Sequence, residues 1–138
     1  MHREWYKPPA WLVWAMWLVL ARTGFEYWQA WELLPPRMAV HFDAEWHPNG
    51  FTSREGALYL GLGIMVTMLV LFTVGALAAR VLKPSAAWPL LAVFYITLGV
   101  AWYANHSIIK FNLNAVSQHS ELAQKVSPVV NGEVNVVS

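Results

Sequence analysis

The chain of 138 residues contains no cysteine, and this absence removes several kinds of chemistry at once. Disulfide bridges, thiolate metal sites and thiol nucleophiles all require cysteine. Charged residues are also scarce: they make up 12% of the chain, and the net charge at pH 7 is only +1. Without a basic patch, the sequence does not indicate a nucleic-acid-binding protein. Neither G-x-S-x-G nor H-E-x-x-H occurs, so we expect a protein that is not an enzyme.

Apolar residues dominate what is present: 57% of the chain is hydrophobic, and nine residues are tryptophan. Such a composition is too apolar for an ordinary soluble domain. Residues 57–79 carry no charge and would span roughly 34 Å as a helix. Residues 86–106 form a second uncharged run of similar length. Both runs are long enough for a hydrocarbon core of about 30 Å, so the sequence predicts two helices that cross a lipid bilayer.

A third apolar segment lies near the start of the chain, where residues 11–21 are uncharged but too few to cross a bilayer. Arg3 and Lys7 precede this run, as in a signal peptide, yet no cleavage site of the A-x-A type follows it. We therefore expect a longer helix over residues 9–33. The alternative is a helix that stops at Arg22 and continues along the membrane surface.

The longer helix places two opposite charges at membrane depth, Arg22 and Glu26. They are one helical turn apart and can form an ion pair. Charges within a bilayer face protein or water rather than lipid. We therefore predict that this ion pair faces the other two helices.

The same helix carries a pattern of aromatic and small residues at alternating spacings of three and four. We call this set the tryptophan stripe: Trp14, Trp17, Ala21, Gly24, Trp28 and Trp31. At 100° per residue it lies roughly opposite the ion pair, so it is expected to face outward. Its neighbour is then lipid, another membrane protein subunit or a flat pigment. The small residues leave a notch where a partner helix can approach.

Residues 34–56 form a polar, turn-rich loop that we expect to cap one end of the helix bundle. A double proline at its start ends the first helix. The segment Pro48-Asn49-Gly50 predicts a tight turn with its glycine at positive φ. Ser53 or the threonine before it is a suitable N-cap for the next helix.

The loop resembles a bacterial family of unknown function, the N-terminal module of SdpI-type immunity membrane proteins. That family has Leu-Pro, then His-Phe-Asp or His-Phe-Asn, then Pro-Asp-Gly-aromatic and Ser-Lys before the next helix. The matching residues are Leu34, Pro35, His41, Phe42, Asp43, Pro48, Gly50, Phe51 and Ser53, with Asn49 and Arg54 in place of the usual acid and lysine. Trp46 stands where the family usually has glycine, so a different turn is expected there. The resemblance covers about residues 10–80 and implies an immunity or signalling role in the bacterial inner membrane.

Histidines and one carboxylate in the loop are candidate metal ligands. His41, Asp43 and His47 are suitable in type for Zn²⁺ or another divalent ion. A loop site usually needs a further ligand, so we predict instead that His41 hydrogen-bonds the loop backbone and Asp43 caps a turn, with no metal bound. His106, at the end of the third helix, is of a type that ligates haem or chlorophyll, but an interfacial position is more common. No cofactor is therefore predicted.

Residues 107–138 are polar and are expected to form an extension outside the membrane, separate from a transmembrane domain of residues 1–106. The extension can continue the third helix. Valines on both sides of Asn131-Gly132 predict a β-hairpin near its end. Arg80 and Lys83, without an acid nearby, indicate a cytoplasmic turn, which puts the N-terminus inside and the loop and tail outside.

These patterns predict an all-α fold: an integral membrane three-helix bundle with helices over about residues 9–33, 57–79 and 86–106, a compact polar loop between helices 1 and 2, and a polar C-terminal tail. An accessory subunit of a larger membrane protein complex is the favoured function, because of the outward stripe and the small bundle. A free-standing SdpI-like immunity or sensing protein is the alternative. A pigment- or metal-binding membrane protein is the third hypothesis.

Overall fold

The computed structural model describes the backbone of residues 7–132 and the side chains of residues 7–127. Helices make up most of it, and two of them are long and apolar. A two-stranded antiparallel sheet is also present, so the all-α assignment is wrong within the loop. In chain order the elements are α1 Ala10–Ala15, α2 Leu18–Ala30, β1 Arg37–Phe42, β2 Pro48–Ser53, α3 Arg54–Leu82 and α4 Pro84–Gly132.

The first predicted helix, residues 9–33, is right in extent but not continuous. It divides into α1 and α2 at Met16-Trp17, and a short 3₁₀ helix, Trp31–Leu33, follows α2. At the division, the backbone N–H groups of Trp17 and Val19 bond to carbonyls three residues back rather than four. This tighter 3₁₀ turn interrupts the α-helical hydrogen-bond ladder.

The loop between α2 and α3 is a β-hairpin. At its open end Arg37 lies opposite Ser53, and the register shifts on both sides of His41, which marks an irregular, bulged ladder. The residues just before His41 lie in β1. Residues 48–50, which were expected to turn, instead begin β2. The turn itself lies earlier, at residues 43–47.

α3 begins where the sequence predicts a cap. The Ser53 hydroxyl oxygen accepts a hydrogen bond from the Gly56 N–H at 2.9 Å, which satisfies one of the free donors of the first helical turn. The helix then runs 29 residues to Leu82. Only Lys83 separates it from α4.

α4 is 49 residues long and therefore extends about 73 Å. It continues through residue 106, where the membrane domain was expected to end, and includes most of the expected polar tail. Asn131 and Gly132 belong to it, so the two-residue turn predicted there is wrong. The strand expected after that turn falls in residues 133–138, outside the described residues.

Two buried clusters connect these elements. The first joins α1, α3 and α4 through Val13, Met16, Met65, Leu69, Ala76, Leu91 and Leu98. The second joins α2, the hairpin, α3 and α4 through Tyr27, Ala30, Leu34, Met38, Ala57 and Ile109. Met38 is fully buried, so the hairpin is held to the helices by a core residue as well as by its connections.

The start of the described chain lies beside the turn between α3 and α4. Arg80 Nε donates to the carbonyl of Pro8 at 2.8 Å, and the Tyr95 hydroxyl donates to the carbonyl of Leu12 at 2.6 Å. The hairpin meets α4 at the other end of the bundle, near Asn112. One end of the bundle is therefore formed by the start of α1 and the turn between α3 and α4. The other end is covered by the hairpin.

Candidate functional site

The turn of the hairpin is built around Asp43. Its backbone N–H donates to the carbonyl of His47 at 3.0 Å, and its carbonyl accepts from the Trp46 N–H at 3.1 Å. Its carboxylate oxygen Oδ1 accepts from the N–H groups of Glu45 at 3.0 Å and His47 at 2.8 Å. The predicted role of Asp43 as a turn cap is confirmed.

Trp46 occupies the strained position of this turn. Its φ of 64° lies in the left-handed region, which glycine adopts freely and bulky side chains rarely adopt. Hairpin turns with a left-handed residue at this place usually carry glycine there. Trp46 thus takes a backbone conformation that suits glycine, and the indole stays 69% exposed.

The close contact between His41 and the opposite strand explains why residue 50 is glycine. The Nδ1 atom of His41 hydrogen-bonds the side-chain oxygen of Asn49 across the hairpin. Gly50 lies opposite His41, and a Cβ atom added to it would be 2.6 Å from the His41 Cβ. Gly50 therefore allows the close approach of the strands. The positive φ predicted for it is wrong, and no glycine in the described part of the chain has one.

α4 holds the hairpin through Asn112, a residue that sequence reasoning missed. Its side chain accepts from the Ala39 N–H at 2.9 Å and donates to the Ala39 carbonyl at 2.9 Å and the Ile108 carbonyl at 2.8 Å. Asn112 is 3% exposed, so water does not replace these bonds. A pattern in the sequence was available, because Asn112 follows the apolar residue Ile109 by about one helical turn and so lies on the same face of a helix.

A second asparagine of α4 bonds α2 deeper in the bundle. The Tyr27 hydroxyl donates to the Asn105 side-chain oxygen at 3.2 Å, and both groups are buried. Gly61 of α3 leaves the space for this pair, since a Cβ atom there would overlap the Asn105 oxygen. The three helices therefore meet at one polar contact.

A cavity of about 460 Å³, which we call the hairpin cavity, lies between the hairpin and α4. Residues 40–43 and Trp46 line it from the hairpin, and its α4 side includes Val100, Tyr103, Ser107 and Phe111. The ring of Phe42 meets that of Phe111 edge-on at 4.9 Å. The His-Phe-Asp part of the motif thus borders a largely apolar space that no single stretch of sequence encloses.

The predicted ion pair is confirmed. Arg22 Nη2 lies 2.9 Å from Glu26 Oε1, and α2 runs on past Arg22, so the alternative of a helix that stops there is wrong. The carboxylate of Glu26 is 9% exposed and faces α4, where Trp102 Nε1 donates to it at 3.3 Å. The Arg22 side chain is 54% exposed. Only the acidic partner is therefore turned fully toward the other helices.

His106, the candidate pigment ligand, is part of the same contact. Its Nδ1 atom lies 3.3 Å from Glu26 Oε2, and its ring stacks on that of Trp102 with centroids 5.3 Å apart. A buried carboxylate needs several hydrogen-bond donors to offset its lost hydration. Supporting Glu26 is thus a structural role that the geometry gives to His106.

The three candidate metal ligands do not come together. His41 turns toward Asn49, whereas Asp43 Oδ2 and His47 Nδ1 are 3.5 Å apart. Glu45 takes the third place, with ligand atoms of Asp43, Glu45 and His47 all within 4.8 Å of one another. The turn cap already brings these residues together, so their grouping does not by itself indicate a metal.

The tryptophan stripe divides between two directions. Trp14 and Trp28 point outward and are 57% and 73% exposed, and Phe25 lies beside Trp28 with ring centroids 5.6 Å apart. Trp17 turns inward, where its Nε1 donates to the Thr73 hydroxyl oxygen at 3.0 Å. The outward direction is wrong for Trp17, because an indole N–H in apolar surroundings needs an acceptor and Thr73 supplies one.

Trp31, the last member of the stripe, also contacts the protein. The guanidinium carbon of Arg54 lies 4.5 Å from its ring centroid, and Arg54 Nη1 donates to its carbonyl at 2.9 Å. Ala21 is exposed, and Gly24 has no heavy atom close to where its Cβ would be. The surface that remains open is therefore Trp14, Ala21, Gly24 and Trp28.

Known proteins give no further guide to this arrangement. No protein-family model, curated protein or solved structure matches the chain. A function is therefore argued from the geometry of the hairpin end, the ion pair and the exposed surface of the helices.

Proposed function

We propose that this chain is a small, non-enzymatic integral membrane protein that packs as an accessory subunit against a larger membrane protein complex. The proposed location is the bacterial inner membrane, crossed several times, with the N-terminus in the cytoplasm. The observation that carries the membrane part of this proposal is the exposed apolar surface of α3 and α4.

α3 and α4 are each long and apolar enough to cross a bilayer. In the most apolar 18-residue stretch of each helix, only 22% and 17% of the residues are buried within the protein. A core helix of a soluble protein is mostly buried, whereas these helices leave large apolar side chains open. Leu71, Val74 and Ile96 are 64%, 63% and 69% exposed. Such a surface is unfavourable in water and matches the hydrocarbon interior of a bilayer.

The segment from α1 through the 3₁₀ helix would supply a third crossing. Residues 10–33 span about 36 Å at helical rise, slightly more than the hydrocarbon core. Its one buried charge, Glu26, faces α4 and bonds Arg22, Trp102 and His106. Ionisable groups within membranes usually face the bundle interior in this way.

The accessory role is supported by the outward part of the tryptophan stripe. Trp14 and Trp28 are large, rigid side chains of the type that dominates protein contacts. Between them, Ala21 and Gly24 leave a notch with open space above Gly24, which suits the close approach of a partner helix. The proposed partner is therefore a membrane-spanning helix of another subunit.

Photo-crosslinking tests this proposal. Benzoylphenylalanine would replace Trp28 in one variant and Leu71, an equally outward residue of α3, in a matched control. After irradiation of native membranes and mild detergent extraction, we expect the Trp28 variant to give one protein adduct of defined mass, and the Leu71 control to give lipid adducts only. Lipid adducts from both positions, together with a protein that migrates alone on a native gel, would reject the accessory role.

A free-standing SdpI-like immunity or sensing protein is the second candidate. The hairpin cavity favours it, because a receptor for a small ligand needs an open space beside its motif, and His41, Phe42 and Asp43 border this one. A pigment- or metal-binding function, with His106 or the hairpin turn as ligand, is a third hypothesis that no specific contact favours.

A further inference from the structure

The hairpin cavity has a chemical character that the accessory role does not use. Four aromatic side chains line it: Phe42, Trp46, Tyr103 and Phe111. Its lining includes the acidic residue Asp43 and no lysine or arginine. We propose that the hairpin cavity binds a small organic cation with alkyl groups on its nitrogen, an alkylammonium compound, taken up from the aqueous side.

The aromatic rings provide the first argument. Phe42 lies at the centre of the group, 4.9 Å from the Phe111 ring and 5.9 Å from the Trp46 ring. The ring planes in these two contacts are inclined at 47° and 76°, so the three rings that line the cavity are not parallel to one another. A ring face attracts a cation, and several faces around one space form the kind of cage that recognises alkylated ammonium groups.

The charge of Asp43 provides the second argument. Its Oδ1 atom accepts from two backbone N–H groups, which fixes the carboxylate against the hairpin turn, and Asp43 is one of the residues that line the cavity. The other oxygen, Oδ2, lies 3.5 Å from His47 Nδ1 at the exposed tip. The second histidine at the rim, His41, is engaged by Asn49. An acidic residue in the lining, without lysine or arginine, favours a cation over an anion in this cavity.

The backbone of Trp46 provides the third argument. A bulky residue held at φ 64° is strained relative to an ordinary conformation, and glycine would avoid that strain. Strain of this kind is found at binding and catalytic sites, where a side chain is needed in a particular place. Here the strained backbone holds an indole at the mouth of the cavity with 69% of its surface open.

A purely apolar ligand is the competing occupant. An uncharged chain would also fit among Phe42, Tyr103 and Phe111, but its binding would not depend on Asp43. Choline and 3,3-dimethyl-1-butanol separate the two cases, because they have the same shape and differ in the positive charge. The difference in their affinities therefore measures recognition of the cation itself.

The experiment uses the full chain in nanodiscs of phosphatidylglycerol, which contain no quaternary ammonium group. Ligand-observed NMR titrations would give the dissociation constants of both probes. We expect choline to bind at least about tenfold more tightly than the alcohol. Equal affinities, or no binding of choline, would overturn the proposal.

Three variants locate the binding. Asp43→Asn keeps an oxygen for the two backbone N–H groups and removes the charge, so choline affinity should fall about fivefold while that of the alcohol stays unchanged. Trp46→Phe should weaken choline binding about threefold or more. Trp28→Phe, which changes an exposed indole outside the cavity, should have no effect. Circular dichroism and the melting temperature confirm that each variant is folded.

Choline affinities that are unchanged in both cavity variants, or reduced equally by Trp28→Phe, would also refute the site. This proposal goes beyond the accessory role and does not depend on it. Crosslinking at Trp28 reports a protein partner, whereas the titrations report a small ligand between the hairpin and α4. A negative result in one experiment therefore leaves the other proposal standing.

Discussion

Two asparagines on α4 decide which residues of the other elements it meets. Asn105 accepts from Tyr27, and Asn112 bonds both backbone groups of Ala39. A buried amide is unfavourable unless its donors and acceptors are paired, so each asparagine tolerates only one placement of its partner. Apolar contacts along a helix are less selective, because neighbouring side chains can replace one another.

Replacing Asn112 should separate the hairpin from α4. In Asn112→Leu the Ala39 N–H and carbonyl both lose a buried partner, so the free energy of unfolding should fall by about 2–4 kcal/mol. Denaturant unfolding in detergent, followed by circular dichroism, measures this change. Asn114→Leu, at an exposed position of the same helix, should stay within about 0.5 kcal/mol of the wild type. Equal losses in both variants would contradict the role of Asn112.

Sequence reasoning worked best for residues whose partners are close in the chain. Arg22 with Glu26 and Ser53 with Gly56 were predictable because local helix geometry places them together. It failed for Gly50, whose missing side chain leaves room for His41 on the opposite strand and does not shape a turn of its own. Strand pairing is a long-range choice, and the dipeptide Asn-Gly alone does not reveal it.

At the scale of elements, the glycines of α3 differ in whether another helix approaches them. Gly61 faces the Tyr27–Asn105 contact, whereas Gly63 has no heavy atom near its missing Cβ. Small residues in a membrane-type helix are therefore not equivalent. The sequence identified both as small but did not distinguish the packed one from the open one.

A pair of alanine substitutions tests this difference. Gly61→Ala should destabilise the protein by about 1–3 kcal/mol, because the added methyl overlaps the Asn105 side chain. Gly63→Ala should be neutral or stabilising by up to about 1 kcal/mol, since alanine favours a helix and the space is open. Melting temperatures in the same detergent compare the two. A lower melting temperature for Gly63→Ala than for Gly61→Ala would show that the helices pack differently.

At the scale of the whole molecule, the two ends of the bundle differ. One end joins the start of the described chain to the α3–α4 turn through Arg80 and Pro8. The other carries the hairpin, and α4 continues beyond it. If the chain crosses a bilayer as proposed, these ends lie on opposite sides.

Cysteine labelling tests that arrangement without background, because the chain has no cysteine of its own. Ser85→Cys lies at the α3–α4 end, and Ala44→Cys and Ser120→Cys lie at the hairpin and on the extension of α4; all three positions are exposed. A membrane-impermeant maleimide should label Ser85→Cys only from the cytoplasmic side and the other two only from the outside. Labelling of all three from one side would contradict the proposed crossing.

The sequence by itself determined the features that depend on composition and local spacing. The apolar runs of α3 and α4, the ion pair on α2 and the cap of α3 follow from hydrophobicity and helical geometry over a few residues. Only the tertiary structure decided that the loop is a hairpin, that α4 is continuous past residue 106, and that Asp43, Trp46, Tyr103 and Phe111 share one cavity. The cavity joins residues about 60 positions apart, and such contacts depend on how whole surfaces pack, which local patterns do not specify.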